Sequence, residues 1–120
     1  MQMGEFCQTI GATSDAVRHY MSLGLLSPDK NGSRYTFGEK DMSDFYAIKE
    51  LQDLGLTLPE IRKIFILKEQ HGCGAPELIE TISQRLRALS DELVAKRQRL
   101  NQKIEAVESI LAALDRRGGD

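Results

Sequence analysis

The chain contains no tryptophan, only two cysteines and three prolines among its 120 residues, and aromatic residues make up 6% of it. Each scarcity closes a class of function. Cys7 and Cys73 are too few for a disulfide framework, and their separation matches no zinc-binding pattern. No apolar run approaches the roughly 20 residues that span a bilayer, and no charged-then-apolar leader opens the chain, so a soluble cytoplasmic protein with no membrane partner is expected. A phosphate-cradling glycine loop, a nucleophile–base pair and a paired-carboxylate pocket are missing too, which argues against an enzyme. Charge of one sign is also lacking: 16 Lys and Arg stand against 18 Asp and Glu, a formal net charge of −2. Neither residues 1–70 nor residues 71–120 are basic, so any hold on nucleic acid must come from a local patch.

Such a patch is present. Residues 16–28 place Arg18, His19 and Tyr20 near the end of a short helix that Gly24 breaks, with Leu25 and Leu26 anchoring the segment beyond it. Cationic, imidazole and phenol groups displayed together at a helix end suit phosphates and base edges better than they suit a protein core. The helix before it, Met3 to Ile10, has apolar residues at helical spacing and stops at Gly11, a C-terminal cap. Cys7 falls on its inner side and reads as core packing. Thr13 or Ser14 caps the next helix, and Asp15 sits in its first turn, where the helix dipole favours a carboxylate. Two short helices joined by Gly11-Ala12-Thr13 form a helix-turn-helix signature.

Residues 27–38 are rich in turn formers. Asn31-Gly32 signals a hairpin, which would be a wing carrying Lys30 and Arg34 at its tip or flank; a solvated loop is the other reading of this segment. A third helix runs from about Glu39 to Leu54-Gly55. Thr57-Leu58-Pro59-Glu60 combines a cap, a first-turn proline and a glutamate three residues on, a capping box opening a fourth helix from Leu58 to about Glu69. After the break His71-Gly72-Cys73-Gly74-Ala75, neither glycine nor proline interrupts the chain from Glu77 to about Leu114. Ile79, Ser83, Leu86, Ser90, Leu93, Arg97, Leu100, Ile104, Val107, Leu111 and Leu114 recur at alternating spacings of four and three, reinforced by Leu78, Ile82 and Leu89. That is a heptad-like seam on a helix of roughly 55–60 Å. Its own chain is too short to cover it, so Leu86, Leu93, Leu100, Ile104, Val107, Leu111 and Leu114 are expected to meet a second copy; a hetero-partner and a helical hairpin, which no break in the helix permits, are the other readings. The fold expected is mainly α, with a winged helix-turn-helix over 1–38, a connecting helix pair over 39–70, a hinge over 71–75 and a dimerisation helix over 76–116.

In this order the elements closely resemble the MerR family of bacterial transcription regulators. The residues that carry the likeness are Met3-Gly4-Glu5-Phe6; Arg18, Tyr20, Gly24, Leu25, Leu26 and Pro28; Asp41-Met42; and above all Leu51-Gln-Asp-Leu54-Gly55-Leu-Thr57-Leu58-Pro-Glu60-Ile61. The resemblance implies an antiparallel coiled-coil dimer that binds a pseudo-palindromic operator and distorts it on receiving a signal, with promoter DNA, a second copy and RNA polymerase as partners. Deformability of the DNA then contributes to specificity. On this basis the DNA contacts are Ser14, Arg18, His19, Tyr20, Lys30, Arg34 and Tyr35. Arg18 is the base-edge or phosphate contact, the Tyr20 hydroxyl meets phosphate, and His19 either donates to phosphate or is a half-exposed ring. The wing departs from the family's Arg-x-Tyr, because Arg34 falls one position out when Phe37 takes the tyrosine's place; Phe37, without a hydroxyl, reads as packing.

Cys73 leaves three readings open: a redox or electrophile sensor, a metal ligand, or a small residue in a tight turn. Metal-sensing relatives place a ligand cysteine there, and Cys73 with His71 is the candidate sensor here. Cys73 is the one candidate metal ligand, and it lacks the further cysteines those relatives supply beyond their dimerisation helix, so no cofactor is assigned. A reading of a different class, a coiled-coil adaptor that binds no DNA, fits the neutral charge balance but not the order of the motifs.

Overall fold

The computed structural model describes residues 1–118. The elements run α1 (Met3–Ile10), α2 (Ser14–Ser22), β1 (Asp29–Asn31), β2 (Arg34–Thr36), α3 (Glu39–Leu54), α4 (Leu58–His71) and α5 (Pro76–Gly118).

The helix ends are set by short-range chemistry. Thr13 caps α2 by accepting from the Ala16 N–H at 3.1 Å, and Thr57 caps α4 by accepting from the Glu60 N–H at 3.3 Å. The α3 start uses a different device: the Asp41 carboxylate reaches back to accept from the Gly38 N–H at 2.9 Å, which explains why this aspartate is buried. Gly24, with φ +75°, closes α2 by donating to the Met21 carbonyl while Leu25 donates to that of Tyr20. This paired closure requires a left-handed residue and turns the chain sharply toward the wing. Gly11 (φ +70°) ends α1 in the same conformation, and a Cβ there would meet nothing within 4 Å. Its replacement by alanine therefore tests backbone strain alone. Gly11→Ala is expected to cost about 1 kcal/mol, lowering the melting temperature by about 4–8 °C in a thermal scan.

Strands β1 and β2 pair antiparallel, with Asp29 opposite Thr36, Lys30 opposite Tyr35 and Asn31 opposite Arg34. The loop is thus Gly32-Ser33, one residue later than Asn31-Gly32 suggests. Gly32 alone has positive φ (+66°), the pattern of a type II′ turn with glycine first. Asn31, adopting no left-handed angle, belongs to the strand.

Residues Met1–Ile79 form one compact unit. Its core is Phe6, Val17, Leu25, Leu26, Phe37, Phe45, Ile48 and Ile61, all nearly or fully buried. The Phe6 and Phe37 rings stack at 4.2 Å, joining α1 to the end of the wing. Phe37 packs as expected. Cys7, expected to pack in the core, is only half-buried, and its neighbour Phe6 is the residue of α1 that is fully buried.

The second unit begins at Glu80 and is described to residue 118 as a continuous stretch of α5. Leu100, Ile104, Val107, Ile110, Leu111 and Leu114 retain between 52% and 62% of their surface exposed. Ile110 broadens the seam beyond the strict alternation of four and three. An isolated helix with such a stripe has no buried face of its own, and helical stability in proteins comes mainly from burying one.

Candidate nucleic-acid interface

The interface is built around α2 and the wing. Arg18 is exposed midway along α2, and it lines two neighbouring concavities together with Tyr35 of β2. One, of about 470 Å³, also borders Met21, Ser22, Leu26 and Pro28; the other, of about 360 Å³, borders Gln2, Met3, Ser33 and Arg34. The recognition helix and the wing therefore present cations on a shared surface, which is how a net-negative chain can grip a polyanion.

Within the wing, Lys30 and Tyr35 are cross-strand partners, and the lysine Nζ lies 5.2 Å from the centre of the tyrosine ring. That cation–π contact holds Lys30 along the hairpin while leaving its charge exposed. Arg34 is exposed on the same strand as Tyr35. Ser14 is half-buried at the first residue of α2, and His19 is exposed on that helix, its ring tilted against Tyr20.

Tyr20 requires a correction. Its side chain is buried, its ring packs against Phe45 at 5.9 Å, and its hydroxyl donates to Gln52 Oε1 at 2.9 Å. The hydroxyl expected to meet phosphate is instead engaged inside the fold, because packing against Phe45 draws the ring inward and Gln52 supplies the acceptor. Tyr20 thus ties the recognition helix to α3. Tyr20→Phe is expected to cost about 0.5–1.5 kcal/mol in unfolding free energy, while leaving the salt dependence of DNA binding unchanged.

Two residues important to this surface owe their place to partners far away in the sequence. Gln2 sits beside Arg18 and Arg34 because Met1 is clamped to Phe37: the Met1 amine donates to the Phe37 carbonyl at 2.7 Å, and the Phe37 N–H donates back to the Met1 carbonyl at 2.6 Å. Gln52 is the other. A pairing across 36 positions leaves no local signal, and Gln52, though it stands inside the Leu51–Ile61 motif, has its hydrogen-bond partner 32 positions away.

His71 ends α4 and Cys73 lies two residues beyond it, both exposed. Neither borders the α2–wing surface. Among the described residues no group of three or more His, Cys, Asp or Glu side chains is placed to hold a metal ion. None of the helices is long and apolar enough to cross a membrane, among the described residues.

Residues 1–66 match the family described as MerR HTH family regulatory protein. The chain belongs to this family. Among curated MerR-type relatives, it is 26% identical to the heavy metal-dependent transcription regulator 2 of Rhizobium meliloti over 121 aligned positions, covering 99% of this chain and 75% of the relative. In fold it is similar to a MerR family transcriptional regulator from Listeria monocytogenes (TM-score 0.76, 17% identity, 85% of this chain and 79% of that one). A MerR family regulator lacking the sensor domain and solved bound to promoter DNA gives a TM-score of 0.65 at 17% identity, over 88% of this chain and 78% of that chain. The mainly helical architecture with its two-stranded wing is thus the MerR winged-helix fold, and the relatives are transcription regulators rather than enzymes.

Proposed function

We propose that the protein is a cytoplasmic, non-enzymatic transcriptional regulator that grips promoter DNA as a homodimer and takes its signal near Cys73. The observation that carries the DNA-binding reading is the shared surface of α2 and the wing, with Arg18 and Tyr35 common to both of its concavities. Lys30 and Arg34 add charge at the hairpin, where phosphates flanking the recognition helix would pass. The exposed seam from Leu86 to Leu114 supplies the second copy's contact. Family membership and the promoter-bound neighbour both support a DNA ligand over a coiled-coil adaptor, and RNA polymerase is the third partner in this reading.

Metal response, which the name of the Rhizobium relative carries, has one candidate ligand here. Cys73 is exposed and close to the start of α5, but with His71 it supplies two donors of different softness where closed thiophilic sites use three or four. These two donors fall short of a closed metal site unless a second copy contributes the rest.

Selection of bound duplexes from a random pool tests the reading. Enrichment of an inverted repeat is expected, with half-sites one helical turn or a multiple apart, as a twofold dimer demands. Enrichment of isolated half-sites, or of nothing, would contradict it.

A further inference from the structure

A second cleft, of about 260 Å³, opens in the unit Met1–Ile79 among the α2–β1 connection, the first half of α3, the end of α4 and the loop after α4. Of the residues assigned to DNA none lines it. Ser27, however, borders both this cleft and the concavity beside Arg18.

The chemistry of its walls is divided. Lys40 and Asp44 lie one turn apart on α3, Phe65, Lys68 and Glu69 line the cleft from α4, and Cys73 stands exposed at the rim. Asp44 meets its cationic partner only at long range. Its side chain is 14% exposed, and its ion-pair partner Lys68 Nζ is 3.9 Å away, too far for a hydrogen bond. Burial pushes the Asp44 carboxyl above the ordinary carboxylate range despite the opposing pull of Lys68 and Lys40, with Asp41 adding to the rise. A ligand ammonium would give this carboxylate the short, charged donor it lacks.

The remaining walls restrict what else that ligand carries. A purely cationic molecule would bring its charge beside Lys40 and Lys68, and a purely anionic one would bring its charge beside Asp44 and Glu69. A molecule with both groups answers both sets. Phe65, half-buried with its ring 5.9 Å from Lys68 Nζ, offers contact to an apolar body.

We propose that this cleft binds a small amphoteric organic molecule of the amino-acid type, its ammonium on Asp44, its carboxylate between Lys40 and Lys68, and its apolar group against Phe65. Its position between the chain leaving the recognition helix and the Gly72–Cys73 loop makes it an effector site. That regulatory role rests on the DNA-binding reading above; the ligand site does not.

The exposed Cys73 thiol provides the probe. Alkylation of Cys73 by iodoacetamide, resolved from Cys7 by peptide mass spectrometry, is measured with L-phenylalanine, phenethylamine or 3-phenylpropionate at equal millimolar concentration. L-Phenylalanine is expected to slow alkylation about threefold or more, the two singly charged analogues distinctly less. Asp44→Asn and Lys40→Ala should each remove the difference; where Asp44→Asn fails to fold, Lys68→Met takes its place. Equal protection by an analogue, no protection by any of the three, or unchanged protection in the folded variants would overturn the proposal. Protection without any change in operator affinity would overturn the effector role, whereas failure of the unliganded protein to bind an operator would overturn the DNA-binding reading and leave the cleft's ligand in place.

Discussion

Aspartate at both Leu100 and Leu111 is expected to convert the dimer to monomers at micromolar concentration and to weaken operator binding by about 100-fold or more. Both leucines lie on the seam and keep more than half of their surface exposed within one chain, so little intrachain packing changes with them. Against a second copy each would be buried, and an unpaired carboxylate in an apolar seam costs far more than the methyl groups it replaces. The DNA effect arises from geometry rather than from direct contact. Two linked arms engage two half-sites at a high effective concentration, and separate arms do not. Sedimentation equilibrium reads the first outcome and fluorescence anisotropy on a labelled operator the second. An unchanged dimer would mean that another surface joins the copies. The melting of residues 1–79 in the same variant should stay near that of the parent, since its core contains none of these side chains.

Arg18→Ala is the second large effect. A guanidinium that contacts a base edge or phosphate contributes about 1–3 kcal/mol, and a twofold dimer is deprived of it twice. Operator affinity should therefore fall by well over about tenfold, and the slope of log affinity against log salt should become shallower by about one for each phosphate left without its cation. The stability cost should be small, because Arg18 is exposed. Glu92→Gln on α5 is the control: its carboxylate is 3.6 Å from Arg85, both on the same helix. Operator affinity should not move in that variant. Equal losses from the two substitutions would contradict the place given to the recognition helix.

Much of the architecture was legible because it is governed by local rules. Thr13, Thr57 and the glycines at 11, 24 and 55 mark helix ends through side-chain oxygens and left-handed φ values, and these act within a few residues of where they occur. The seam of α5 is likewise a matter of period. The hairpin was legible as an element but not in register, because Asn-Gly and Gly-Ser are both competent turns and the cross-strand partners decide between them. Lys30 against Tyr35 is the pairing that the Gly32-Ser33 loop permits.

What the amino-acid sequence determined by itself is the set of helices, their ends, and the apolar stripe that calls for a second copy. Each depends on spacing along the chain. Tertiary structure alone decided which polar groups are available. It turned the Tyr20 hydroxyl inward onto Gln52, brought Gln2 beside Arg18 by clamping Met1 to Phe37, and left Asp44 half-answered in a cleft with two lysines. Those outcomes depend on distances between residues far apart in sequence, where the 2.9 Å bond from Tyr20 to Gln52 and a bond that never forms look alike until the chain has folded.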